Sequence, residues 1–282
     1  MYKISVPATS ANLSVGFDIL GIAFDLYNEF YVDYANKFIL DGFDEGYNKE
    51  DNNLFIKAYK SFFKKFGLEI IPISVKMVCH IPSSRGLGSS ATLVVGGIVA
   101  ASKITKLRLS NDELFNLALE IEHHPDNVAP AIYGGLTSSY FKDGVCFAKQ
   151  YEINKDLNFL VLIPDYKIKT EDARKVLPKC LEYKDIIHNL SRIIMIPEAF
   201  KNGDIKLLCD IFDDKLHEPY RANLIKEYNE FKNIALANHG VFAISGSGSS
   251  MLVISKFDLS DLYKINKLKL HVSNGVEIIQ CE

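Results

Sequence analysis

The spacing of apolar residues changes period several times along the chain, and each change marks an element. Residues 2–8 and 28–42 carry β-branched and aromatic residues in partial alternation, which predicts strands. Leu54, Ala58, Phe62 and Phe66 recur at four-residue spacing with lysines between them, so residues 51–66 read as an amphipathic helix. Residues 72–80 are strand-like and lead through a glycine- and serine-rich stretch into an apolar helix ending near Lys103. Ser110, with Glu113 three residues on, forms a capping box at the head of a helix ending near Glu122. Residues 134–141 and 145–149 pattern as a hairpin. Beyond them the pattern predicts a strand at 158–163 and helices at 171–176, 182–201, 203–212 and 222–238. Strands at 240–245 and 250–255, a helix at 258–268 and a final strand at 275–280 follow. Strands and helices mix without a βαβ rhythm, which predicts an α+β fold in two packed halves dividing near residue 155.

The stretch between the strand at 72–80 and its helix is the richest in chemistry: Pro82-Ser83-Ser84-Arg85-Gly86-Leu87-Gly88-Ser89-Ser90-Ala91-Thr92. Gly86 and Gly88 let backbone N–H groups approach an anion, and Ser89 and Ser90 add hydroxyls where a helix dipole presents its positive end. The loop lacks the Lys-Ser/Thr pair of a Walker A loop. It satisfies the loose G-x-G-x-x-A pattern, but Pro82 through Arg85 intervene after the strand, and no acidic residue closes a second strand, so dinucleotide binding does not follow. A plain helix-capping turn is the alternative reading.

Composition narrows the field. With 282 residues, 48% of them hydrophobic, the chain can bury a substantial core. A net charge of -3 and the lack of a basic cluster argue against nucleic acid as a partner. No apolar run reaches membrane-spanning length. The strand-like opening predicts no signal peptide, and the five scattered cysteines suit a reducing cytoplasm.

Other residues suggest a second ligand. Asn12 and Asp18 flank a bend at Gly16, and an amide beside a carboxylate can grip an ammonium and a hydroxyl; an Asx turn is the alternative. Arg174 and Arg221 are planar forks suited to an amino-acid carboxylate, or to surface salt bridges. Mg2+ needs few protein oxygens, so Ser90 and one carboxylate suffice, with Glu122 and Glu120 as rivals. His123, His124 and Asp126 fit no standard zinc spacing.

Three motifs in order, Val6-Pro-Ala-Thr-Ser-Ala-Asn-Leu13 with Gly16-Phe-Asp18-Ile-Leu-Gly21, the loop at 82–92, and Ser245-Gly-Ser-Gly-Ser-Ser250, closely resemble those of the GHMP kinases. The resemblance implies a GHMP kinase fold, with a ribosomal-S5-like domain over residues 1–155 packed on a ferredoxin-like domain over 156–282, and the active site between them. It implies ATP and Mg2+, with Pro82 through Thr92 as the ATP loop, Ser90 and Glu122 on the metal, and Asn53 at the adenine. His-Pro-Asp-Asn at 124–127, Ala-Arg at 173–174 and His-Glu-Pro-Tyr-Arg-Ala at 217–222 resemble the homoserine kinases in particular. That implies phosphotransfer from ATP to L-homoserine, a step towards threonine. Asn12, Asp18, His124, Asp126, Arg174 and Arg221 would then form the acceptor site, and Asp18 or Asn127 would assist the hydroxyl. A homodimer is implied likewise. A kinase for a mevalonate-like alcohol, or a non-catalytic sensor of ATP or an amino acid, is the competing expectation. Four positions depart from the family pattern: Ser14-Val15 for Gly-Pro, Ser249 for Pro, and His123 for Gly.

Overall fold

The computed structural model describes residues 1–44 and 47–281. The first part of the chain folds as β1 (Tyr2–Ala11), β2 (Leu20–Tyr34), β3 (Ile39–Asp41), α1 (Leu54–Phe66), β4 (Ile73–Val78), α2 (Ser89–Thr105), α3 (Asn111–Leu119), α4 (Pro125–Tyr133), β5 (Leu136–Lys142) and β6 (Val145–Tyr151). Then come β7 (Asn158–Ile163), α5 (Thr170–Lys175), α6 (Tyr183–Ile193), α7 (Ile196–Asn202), α8 (Ile205–Ile211), α9 (Glu218–Arg221), α10 (Tyr228–Ala237), β8 (Val241–Ile244), β9 (Met251–Ser255), β10 (Asn266–Leu270) and β11 (Glu277–Gln280).

One sheet runs β11-β1-β2-β4-β3, with the β5–β6 hairpin joined to β2; the other runs β10-β7-β9-β8. The first sheet therefore takes an edge strand from the far end of the chain, with Tyr2 opposite Gln280. Helices α1 to α4 cover this sheet, burying an aromatic core that includes Phe30, Phe55, Tyr59, Phe62 and Phe63. Each such side chain contributes roughly 1.5–3 kcal/mol by burial. Strand β7 is covered on both faces. Phe159, Val161 and Ile163 join a core shared with Ala8, Leu20, Ile22 and Phe24 of the first sheet. Leu160 and Leu162 face the other way, onto α10. The shared core fixes the two halves against each other and holds the cleft between them.

Most elements lie where the hydrophobic pattern places them, including the capping box, where the Ser110 hydroxyl accepts from Glu113 N and the Glu113 carboxylate accepts from Ser110 N. Four expectations need correction. The strand expected at 28–42 is two: β2 starts at Leu20 and ends at Tyr34, and β3 pairs in parallel with β4. The helix expected at 182–201 breaks ahead of Pro197, which opens α7. Of the helix expected at 222–238, only 228–237 is α-helical, behind a 3-10 turn at 222–224. The helix expected at 258–268 is a 3-10 turn followed by β10. Within β10 the alternation of Lys267 and Lys269 with Leu268 and Leu270 was masked by the helix-like spacing before it, and pairing with β7 decided the conformation. Among the described residues no helix is long and apolar enough to cross a membrane.

Candidate active site

A cleft of about 690 Å³ opens between the halves. Its floor is the loop at 83–91, its end wall the start of α4, and its far side the segment 167–174 with Arg221 and the glycine turn at 246–247.

The loop is shaped by positive φ at Gly86 (+75°) and Gly88 (+67°). A Cβ on Gly86 would stand 2.1 Å from Ser245 O, and one on Gly88 1.9 Å from Thr9 Oγ1, so neither position admits a side chain. Gly88 caps α2 without a side-chain acceptor. The free N–H groups of the first turn of α2 therefore point into the cleft as anion donors. Thr9 N donates to Leu87 O at 3.2 Å, and Ser245 Oγ to Gly86 O at 2.7 Å, so both halves grip the loop.

Arg85 does not extend towards an anion. Its guanidinium donates to the carbonyls of Pro164 (2.6 Å), Asp165 (2.8 Å) and Tyr166, and works as a staple to the second half. Thr92 is fully buried beneath the loop, donating to Ser89 O and accepting from Asn28 Nδ2. Asn53 is likewise withdrawn: it caps α1, accepting from Ile56 N and donating to Tyr47 O, and does not line the cleft. Pro82 lies just outside the lining, whereas Phe43, Tyr47, Leu54, Met77 and Leu93 supply an apolar wall that the sequence pattern did not single out.

Ser90 Oγ donates to Glu122 Oε2 at 2.6 Å, and His124 Nδ1 donates to Glu122 Oε1 at 2.5 Å. Burial pushes the Glu122 carboxyl up, but the bonds from His124 and Ser90 together outweigh it and hold the group below its ordinary value. His124 is raised, chiefly by its bond to Glu122 and against its own burial. Glu120, the rival carboxylate, is paired with Lys65 at the surface. A hydroxyl beside one ionised carboxylate is a hard-oxygen donor set, which fits Mg2+. Among the described residues there is no group of three or more His, Cys, Asp or Glu placed to hold a metal ion.

Across the cleft stand the charges. Arg174 forks onto Asp18, with Nη2 to Oδ1 at 2.9 Å and Nη1 to Oδ2 at 3.2 Å. Asp18 N donates to Asn12 Oδ1, and Asn12 Nδ2 to Gly246 O, so the 12–18 bend is tied to the glycine turn of the other half. Asp126 is 1% exposed, and both its carboxyl oxygens lack a hydrogen-bond partner among the described residues. Burial, reinforced by the Asp18 charge, raises it to about 7, against the pull of His124 and Arg174. Arg221 is also 1% exposed, and burial with the neighbouring Arg174 lowers it to about 10. Its partners among the described residues are Ala173 O, Gly246 O and His217 Nδ1, and no carboxylate. Asn127 accepts from Thr9 Oγ1 at 2.8 Å, a partner that only the fold reveals.

The family departures have local answers. Ser14 takes φ +47°, a glycine conformation, and its buried hydroxyl has no partner among the described residues. Ser249 Oγ gains a bond to Tyr166 O at 2.6 Å. His123 stays out of the left-handed region, so glycine is not needed there.

A model of the GHMP kinases N terminal domain matches residues 53–135, which enclose the loop, and fold and loop together define an ATP-dependent kinase of the GHMP class. The homoserine kinase of Clostridium botulinum (strain Langeland) is 41% identical to this chain over 267 residues, 94% of this chain and 89% of that one. That of Aquifex aeolicus is 38% identical over 258 residues, 89% of this chain and 86% of that one. The crystal structure of homoserine kinase from Cytophaga hutchinsonii matches with a TM-score of 0.87 at 25% identity, covering 98% of this chain and 96% of that one. The chain belongs to the homoserine kinase family within that class.

Proposed function

We propose that this chain transfers the γ-phosphate of ATP to the side-chain hydroxyl of L-homoserine, giving O-phospho-L-homoserine and ADP. The observation that carries this reading is the meeting, across one cleft, of an anion cradle with two cationic forks and two carboxylates. Such a set matches a polyphosphate on one side and a zwitterion on the other.

In this reading the N–H groups of 86–91 and the hydroxyls of Ser89 and Ser90 hold the phosphates. The apolar wall of Phe43, Tyr47, Met77 and Leu93 takes the base. Ser90 and Glu122 would hold Mg2+, which when bound neutralises phosphate charge. Arg174 and Arg221 take the carboxylate of homoserine, and Asp18 with Asp126 takes its ammonium. The ion pair between Arg174 and Asp18 opens as each charge exchanges its internal partner for a substrate group. Asn127, held by Thr9, and His124 complete the wall near the hydroxyl. Positioning and charge neutralisation carry the reaction, and no strong base is required. Residues 1–155, with β11 added to their sheet, act as the ATP-binding domain and the rest of 156–282 as the second domain. The protein works in the cytoplasm as a homodimer, a state supported by the exposed Tyr183, Ile187, Leu190 and Ile194 on and just beyond α6.

The test is ADP release with Mg-ATP, offering L-homoserine, D-homoserine, L-serine and mevalonate separately. Turnover confined to L-homoserine is expected. Turnover with mevalonate alone would overturn the acceptor, and ATP binding without turnover on any of them would point to a sensor.

A further inference from the structure

Arg221 and Arg174 pose an electrostatic problem that their hydrogen bonds do not solve. Among the described residues only Arg174 of the two has a carboxylate partner, Asp18, and substrate must displace it. Arg221 is buried with two carbonyls and a ring nitrogen as its partners. Two like charges converge, with Asp18, Asp126 and Asp214 nearby and Asp18 alone of these hydrogen-bonded to a guanidinium among the described residues.

Phe17 lies at their junction. Its ring centroid is 5.1 Å from the guanidinium carbon of Arg221 and 5.9 Å from that of Arg174, both within cation–π range. The same ring stacks on His217, with centroids 5.1 Å apart and planes 23° from parallel. His217 is fully buried, and burial lowers its pKa against the pull of Asp214. Its Nε2 donates to Ser14 O at 2.9 Å, which leaves Nδ1 to accept from Arg221 Nη1. Asp214 accepts from His217 N at 2.7 Å, from Glu218 N at 2.7 Å and from Asn189 Nδ2 at 2.6 Å, and so fixes this turn from below. Phe17 is therefore held on a rigid base, with both arginines against it.

We propose that Phe17 is a positioning residue, an aromatic seat shared by Arg174 and Arg221 that brings the two guanidiniums to bear on one carboxylate. The quadrupole of the ring offsets part of their repulsion without adding a negative charge that would compete with the substrate. This is why an aromatic ring, and not an acid, serves between the forks. The inference deepens the homoserine reading and rests on it for the identity of the carboxylate.

The experiment uses the full chain and compares Phe17→Leu and Phe17→Tyr with the parent. Acceptors are L-homoserine and 3-aminopropan-1-ol, which is homoserine without its carboxylate. Phe17→Leu is expected to lower kcat/KM for L-homoserine about tenfold, mainly through KM. It should leave KM for ATP and turnover of 3-aminopropan-1-ol within about twofold, and Phe17→Tyr should restore most of the loss. Equal losses on both acceptors, a matching rise in KM for ATP, or no change with L-homoserine would overturn the proposal. A second readout needs no acceptor. In proton–nitrogen NMR spectra, the Nε–H signals of Arg174 and Arg221 should both lose a ring-current shift in Phe17→Leu. Movement of one signal or neither would reject a shared seat, even if the homoserine reading itself fails for want of turnover.

Discussion

From one side of the cleft, residues 83–91 offer peptide N–H groups and hydroxyls drawn from a single contiguous loop. From the other come Asp18, Asp126, Arg174 and Arg221, four charges from four separate segments. The first side is rigid because backbone packs on backbone, as at Gly86 and Ser245. The second is held by charge, and its main ion pair is internal and about 40% exposed. Backbone cradles tolerate side-chain change and fail when a Cβ intrudes. Charge clusters respond in graded fashion to single truncations and to pH.

The largest effect should come from forcing the rigid side. Gly86→Ala places a Cβ 2.1 Å from Ser245 O at a φ of +75°, so kcat/KM for ATP should fall by about a hundredfold or more. Steady-state kinetics against ATP checks this, and a loss under about fivefold would show that the loop is more pliable than its packing implies. Next, Arg174→Ala removes a charged fork and should cost about 1.5–3 kcal/mol, roughly tenfold to a hundredfold in kcat/KM for L-homoserine. KM for ATP should hardly move. A change under about twofold would remove Arg174 from the acceptor site.

Asp126 sharpens the comparison through pH. Its carboxyl is raised from 3.8 to about 7 on folding, so between those values the folded protein binds more protons than the unfolded chain. The stability it contributes is full below the unfolded value and falls as pH rises, by on the order of 4 kcal/mol across the window. Asp126→Asn should flatten the stability profile between pH 4 and 7, read from urea midpoints. Glu218, buried and also raised to about 7, leaves the same residual slope in both proteins. An unchanged profile would mean that Asp126 is stabilised by a partner when ionised. The smallest effect is expected at Ser14. Ser14→Gly relieves a left-handed backbone and removes a buried hydroxyl that has no partner among the described residues, and should raise stability by about 1 kcal/mol. A lower urea midpoint would refute that reading.

The same division explains what could be read from the amino-acid pattern. The loop was legible because its chemistry is local: glycines, serines and a helix start in eleven consecutive residues. The charged side was visible only as residue types. Asp18 and Arg174 are 156 positions apart, and nothing in their neighbourhoods shows that they pair. Burial decided the rest. Asn53 stands before a helix, and its amide went to the cap. Arg85 sits inside the anion loop, yet its fork reaches carbonyls that the fold brings across. Phe17 and Thr9 lie within the N-terminal motif, but their partners, His217 and Asn127, come from other elements. The strand β10 was missed for a related reason: a short alternation beside a helical spacing is settled by whichever neighbour it meets.

The pairing of β11 with β1 imposes an order of assembly on a growing chain. At a synthesis rate of 5–20 residues per second, the edge of β1 waits roughly 15 to 55 s for the strand that covers it. During that wait Tyr2–Ser5 present unpaired N–H and C=O groups to any passing strand. The strand that closes this edge is made long after β1 itself, and a nascent chain stalled before residue 277 carries an open edge however well its loop is formed.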